Sequence, residues 1–134
     1  MLYPYLFLLT PVLFDLPFMP DRGHMLPPDG AWLKQILKSS LLDSVDIACA
    51  VFVNPTYHGY STDLKELISQ IHSFDWPVLV DESHGAHFAC GVDQKLPCSA
   101  IEAGADLVVH SLHKSASGLA QSAVLWAQGS RVQN

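Results

Sequence analysis

The chain has 134 residues, 49% of them hydrophobic and 15% charged, and its seven basic and thirteen acidic residues give a net charge of -6. That length is one domain's worth of polypeptide, and an acidic balance without a basic run excludes a surface built for a phosphate backbone, so no nucleic-acid partner is expected. The same balance suits a cationic substrate, and a mean hydropathy of +0.22 predicts apolar surface meant to pack on something else.

Met1 to Asp15 is apolar but contains Pro4 and Pro11 and lacks a positive start and a small-residue cleavage site. It meets Asp15 before reaching membrane-spanning length, so neither a leader nor a membrane segment is read there, and no membrane role is expected. A strand is expected around Val12 to Asp15 instead. Pro28-Asp29-Gly30 opens a helix to about Lys38 with Trp32, Leu33, Ile36 and Leu37 on one face, and Val45 to Val53 reads as a strand ending at Asn54-Pro55. Asp63 with Glu66 resembles a capping box for a helix whose Leu64, Leu67, Ile68 and Ile71 follow the 3, 4, 7 spacing of a sheet-packed face. Strand Pro77 to Val80, an irregular loop from His87 to Leu96, a short helix from about Cys98 to Ala103 stopped by Gly104, strand Leu107 to Val109 and strand Ala123 to Ala127 complete the order. Alternating strands and helices predict an α/β fold of three layers, a mostly parallel sheet with helices on both faces; the short connection before the last strand permits that strand to run antiparallel. Cys49, Cys90 and Cys98 are odd in number and lack disulfide or metal spacing, which fits a reducing cytoplasm, with Cys49 in the core.

Two strand ends carry chemistry. Val78-Leu79-Val80 runs into Asp81-Glu82-Ser83-His84-Gly85-Ala86-His87, and Leu107-Val108 runs into Val109-His110-Ser111-Leu112-His113-Lys114-Ser115-Ala116-Ser117-Gly118-Leu119-Ala120-Gln121-Ser122-Ala123. Open α/β sheets bind ligands at the carboxyl ends of their strands. An aspartate and a lysine delivered to one sheet edge are what proteins contribute to pyridoxal phosphate (PLP) chemistry. Singly, a lysine after a strand is ordinarily a solvated surface residue and Asp81 a turn cap; together, 33 positions apart (114 minus 81), they favour the site reading. A hydroxyl-rich, desolvated pocket would lower the lysine's pKa and make Lys114 a Schiff-base lysine.

The stretch from Val109 to Ala123 resembles the lysine-attachment signature of the PLP-dependent ornithine/lysine/arginine decarboxylases, enzymes of the aspartate aminotransferase fold (fold type I). Asn54-Pro55-Thr56-Tyr57-His58-Gly59 with Asp63-Leu64, the Asp81 to His87 run and Glu102-Ala103-Gly104-Ala105-Asp106 are similar to further family motifs in the same order. The likeness runs from about Pro11 to the end. Family members are several hundred residues long, so residues 1–134 resemble a partial PLP-binding major domain, with the phosphate-binding turn and ring-stacking residue that precede it, and the carboxyl-terminal domain, absent.

What the resemblance implies is α-decarboxylation of lysine, arginine or ornithine to a polyamine precursor and CO2, by an enzyme that is homo-oligomeric in the family. Lys114 corresponds to the cofactor-linked lysine and Asp81 to the residue against the pyridine nitrogen, where a carboxylate favours the charged ring. His84 corresponds to the residue near the ring's 3-oxygen, and Ser111 and His113 to residues at the phosphate and around the lysine. Catalytic work is thus expected of Lys114, Asp81 and His84, and cofactor binding of these with Ser111 and His113. Two alternatives stand beside this reading: a non-catalytic remnant or PLP-binding module needing a partner, and a related fold-type I aminotransferase or α-oxoamine synthase, against which Ser111-Leu112-His113-Lys114 and Ala120-Gln121-Ser122-Ala123 speak. The pairs His84/His87 and His110/His113 invite a metal reading, but they fall on strand-end loops without a completing ligand set, and no metal is expected. Strand alternation puts His110 opposite Ser111. Tyr57-His58-Gly59 is expected in a turn facing the site, and Gln121 in a loop-stabilising hydrogen bond.

Overall fold

In the computed structural model, which describes residues 9–91 and 95–132, an extended segment leads into a short antiparallel hairpin, β1 (Phe18–Met19) and β2 (His24–Met25). The expected strand at Val12 to Asp15 is not formed. Val12 and Leu13 are exposed, Pro11 and Pro17 lack the N–H a ladder needs, and the segment meets the body through Asp15 O, which accepts the Trp32 indole N–H at 3.2 Å. The part of the amino-terminal reading that falls on residues 1–8 lies outside the described residues.

Helix α1 (Gly30–Leu37) starts where predicted because Asp29 caps it, its side chain accepting Trp32 N at 2.7 Å. Helix α2 (Leu64–His72) is capped by Asp63, which accepts Glu66 N at 3.2 Å. Only this half of the predicted capping box forms: Glu66 turns its carboxylate to Gln70 Nε2 at 3.2 Å and Lys34 Nζ at 3.7 Å.

One sheet follows, in the order β3 (Ala50–Val53), β4 (Val78–Asp81), β5 (Leu107–Ser111), β6 (Ala123–Ala127). The first three strands are parallel, and β6 is antiparallel to β5 with Ser111 opposite Ala123. Strand β3 is shorter than the Val45 to Val53 expected. Its first ladder bond runs from Ala50 N to Pro77 O at 2.9 Å, and Pro77, with no N–H, returns none. The short helix expected at Cys98 to Ala103 is a single turn, in which Ala103 N donates to Ser99 O at 2.8 Å before Gly104 takes φ +93° and ends it. The loop after β4 contains a 3₁₀ turn, Ala86–Cys90, and residues 92–94 of that loop lie outside the described residues.

Strand alternation sorts the sheet into two faces. Val78, Val80 and Val108 share a core with Leu33 of α1 and with Leu64, Leu67, Ile68 and Ile71 of α2. The opposite face carries Val51, Val53 and Leu125, which are 64%, 52% and 62% exposed. The expected α/β class with a mostly parallel sheet is therefore present; both long helices lie on one face, and among the described residues no helix of that length covers the other.

Asp106, 2% exposed, ties the amino-terminal end of the sheet to α2. Its Oδ2 accepts Val78 N and His72 Nε2, each at 2.8 Å, so a buried carboxylate is matched by two donors. The three cysteines are free, Cys49 half-buried rather than in the core, and burial pushes its thiol up.

Leu67 has no exposed surface, so Leu67→Ala should lower stability by about 2–5 kcal/mol in urea unfolding, whereas Val51→Ala on the open face should change it by less than about 0.5 kcal/mol.

Candidate active site

The carboxyl ends of β4 and β5 lie side by side, with Asp81 opposite Val109 in the ladder. Asp81 and Ser111 have the same strand parity, so both belong to the open face, away from α2. Asp81 is half-buried. Its Oδ1 accepts Ser83 N at 2.9 Å, an Asx-type turn that aims the chain into His84 and leaves Oδ2 for another donor.

Ser111 ends β5, is 9% exposed, and opens the one-turn helix α3 (Leu112–Ser115) that carries His113 and Lys114. The expectation that Lys114 lies in a desolvated pocket is not met. Lys114 is exposed on a single helical turn beyond the strand end, and no hydrogen bond or ion pair engages its Nζ among the described residues. His113 Nδ1 lies 2.9 Å from Ser122 O and 3.3 Å from Ser122 N, so the ring is held against the loop through Nδ1, and among the described residues Nε2 makes no hydrogen bond. Gly118 lets the chain close this loop: a Cβ there would stand 2.7 Å from Ser122 Oγ and 2.9 Å from Leu112 Cβ. Ser115 Oγ, next along the chain from Lys114, and Ser122 Oγ are buried without a hydrogen-bond partner among the described residues. Gln121 is exposed, and no side-chain hydrogen bond of its own braces the loop among the described residues.

On the other side of Asp81, a cavity of about 400 Å³ is lined by Pro55, Thr56, Tyr57, His84, His87 and Phe88, among others. The His84 ring meets Tyr57 edge to face at 5.8 Å, which places the Tyr57-His58-Gly59 turn against His84. His24 of the hairpin stacks on His58 at 4.6 Å, and Arg22 donates to Tyr60 Oη at 2.8 Å, so the hairpin closes this flank.

His110 is committed on the helix-covered face, away from His113, and among the described residues no three His, Cys, Asp or Glu side chains come together.

A reading based on the exposed rim misses Glu82. It has no exposed surface, its Oε1 accepts Ala100 N at 2.8 Å, and its Oε2 lies 2.7 Å from His110 Nε2. The Trp126 indole N–H donates to His110 Nδ1 at 3.1 Å. Gly85 makes room for this: a Cβ there would fall 2.7 Å from Glu82 Cγ and 2.8 Å from Pro55 Cδ. The available signal was alternation, since the residue after Asp81 and the residue before Ser111 must both face the core.

The donor set at the rim fits PLP. A carboxylate oxygen at a strand end suits a pyridinium nitrogen, a hydroxyl and an imidazole nitrogen suit a phosphate, and an accessible amine suits an aldehyde.

Solved structures share this arrangement of strands and helices. A chain of the SepCysS–SepCysE N-terminal domain complex matches with a TM-score of 0.59 at 17% identity, over 74% of this chain and 25% of that one. Mouse CSAD in its apo form matches with 0.53 at 24% identity, over 84% and 23%, and Burkholderia pseudomallei sphingosine-1-phosphate lyase with 0.52 at 21%, over 78% and 24%. At these identities the likeness shows the fold alone, an α/β fold of which the chain forms part.

Sequence comparison goes further. Residues 29–134 match the family model of the Orn/Lys/Arg decarboxylase major domain, and the chain belongs to that family. It is 42% identical over 91 residues to an arginine decarboxylase of Bacillus cereus, covering 68% of this chain and 19% of that protein. To an arginine decarboxylase of Bacillus subtilis it is 44% identical over 88 residues, covering 66% and 18%. The chain thus spans about a fifth of the length of the curated relatives it matches. No helix among the described residues is long and apolar enough to cross a membrane.

Burial pushes the Glu82 carboxyl above the ordinary glutamate range, and the His110 and Ala100 N–H groups only partly offset this. A pKa raised on folding means the native state holds the proton more readily than the unfolded chain. Stability relative to Glu82→Gln, which cannot titrate, should therefore rise as pH falls from neutral through the raised pKa toward the ordinary value of 4.5, and level off below it. Urea unfolding of both proteins across that range checks the sign.

Proposed function

We propose that the chain provides the lysine-bearing and pyridinium-side part of a PLP-dependent α-decarboxylation of a basic amino acid. The observation that carries this is the placement of Asp81 and the Lys114 turn at the carboxyl ends of two adjacent parallel strands, within a sequence matched by the decarboxylase family. Two of the relatives described above carry the name arginine decarboxylase, which makes arginine the first substrate to test, ahead of lysine and ornithine.

Bound PLP would supply an electron sink, its protonated ring accepting the pair left behind when CO2 departs. The residues have separable tasks. Lys114 would hold the cofactor through its Nζ and move a proton at the reacting carbon. Asp81 would keep a proton at the ring nitrogen through the carboxylate oxygen that its Asx turn leaves unused. The Ser111 hydroxyl and His113 Nε2 would hold the phosphate, and His84 would serve the 3-oxygen. The acidic net charge favours approach of a cationic amino acid.

The open face bearing Val51, Val53 and Leu125, together with the exposure of Lys114, favours a second reading in which the isolated chain holds PLP but does not turn over. Both readings require carbonyl chemistry at Lys114. Borohydride treatment of the PLP-loaded chain should fix the cofactor to Lys114, with loss of the adduct in Lys114→Ala. Specific labelling at Lys34, Lys38, Lys65 or Lys95 instead would refute the assignment. CO2 release from arginine, lysine and ornithine then separates enzyme from binding module. Where turnover occurs, Asp81→Asn should keep the adduct while lowering kcat by roughly 10²–10³-fold, the scale for one preorganised electrostatic group.

A further inference from the structure

Residues assigned to the cofactor alternate along the chain with residues that face away from it. Asp81 is followed by Glu82, and Ser111 is preceded by His110. The second members of these pairs meet on the helix-covered face, where Glu82 Oε2 lies 2.7 Å from His110 Nε2. The protonation pattern follows from the neighbours. An indole N–H only donates, so His110 Nδ1 must present its lone pair to Trp126; Nε2 then carries the proton and donates to Glu82. Glu82 Oε1 takes a second N–H from Ala100, and Glu82 N donates to Val109 O at 3.0 Å.

Glu82 therefore joins β4 to β5, to the turn before β5 and, through the imidazole, to β6. An apolar pair of similar volume would fill the space without fixing a direction, whereas a buried, fully matched polar chain defines one geometry. Glu82 and His110 are each covalently adjacent to a residue of the candidate site, Asp81 and Ser111, across a planar peptide that transmits displacement.

We propose that Glu82 is a positioning residue which, through His110 and from the reverse face of the sheet, sets the spacing between the Asp81 carboxylate and the Ser111–Lys114 turn. This rests on the PLP reading above for what Asp81 and Lys114 hold.

The test compares the whole 134-residue chain with Glu82→Gln and Trp126→Phe. Glutamine offers one oxygen where two N–H groups converge, and phenylalanine removes the indole donor while leaving the carboxylate. After PLP loading, the readout is the pH midpoint of the cofactor's visible absorption band, which senses the proton Asp81 keeps at the ring. The midpoint should move by about one pH unit in Glu82→Gln and by less, in the same direction, in Trp126→Phe, with borohydride still labelling Lys114. In cofactor-free protein, amide NMR signals of Asp81 and Ser111 should shift in both variants while those of α2 stay in place. Folded Glu82→Gln with an unmoved midpoint and unmoved Asp81 and Ser111 signals overturns the proposal. If Glu82→Gln does not fold, Trp126→Phe decides by the same two readouts. If the unaltered chain takes up no PLP, it is the cofactor reading that has failed, and the amide signals alone decide the positioning role, static signals overturning it.

Discussion

A carboxylate withdrawn from water must be given donors, and the sheet is held at both ends by carboxylates that are. Asp106 takes Val78 N and His72 Nε2 at one end; Glu82 takes Ala100 N and His110 Nε2 at the other. Leaving such a group unmatched costs more than a neutral hydrogen bond contributes, so these pairs admit one register of β4 on β5. Between them, Val78, Val80 and Val108 pack on α2 and supply the apolar burial.

The open edge inherits its order from that arrangement. With Glu82 and His110 committed beneath the sheet, Asp81 and Ser111 are placed on the other face at neighbouring strand ends, and α3 follows Ser111 directly. Asp81 keeps one carboxylate oxygen outside its Asx turn, and His113 is braced through Nδ1 so that Nε2 is left for a ligand. Lys114 has no comparable brace among the described residues. The rim is thus braced on its carboxylate side and less constrained on its amine side, which favours the proposed division between a fixed carboxylate and a lysine free to move.

Much of this was legible because the determinants are local. Asp29 and Asp63 mark the helix starts, the spacing of Leu64, Leu67, Ile68 and Ile71 marks the buried stripe, and the limits of β6 follow from a short apolar run between loops. Sequence and structure part where tertiary context decides. The run from Val45 is apolar enough for a strand, but the proline opposite its middle stops the ladder; Val12 to Asp15 has the right residues, but no strand among the described residues pairs with it. At the candidate site, the strand-end positions and family-like pattern single out Asp81, His84, Ser111, His113 and Lys114. The exposure of Lys114 is not legible there, because it depends on what packs over a single helical turn. Glu82 was visible as a residue but not as a node, since its donors come from Ala100 and His110, 18 and 28 positions away.

The central claim is that Asp81 faces the ring nitrogen of a cofactor anchored at Lys114. It is tested most directly by the ¹⁵N chemical shift of PLP labelled at that nitrogen and bound to the chain. A pyridinium shift at neutral pH that reverts toward the neutral-pyridine value in Asp81→Asn is expected. A neutral ring in the unaltered chain, or a pyridinium shift that survives the substitution, would contradict it.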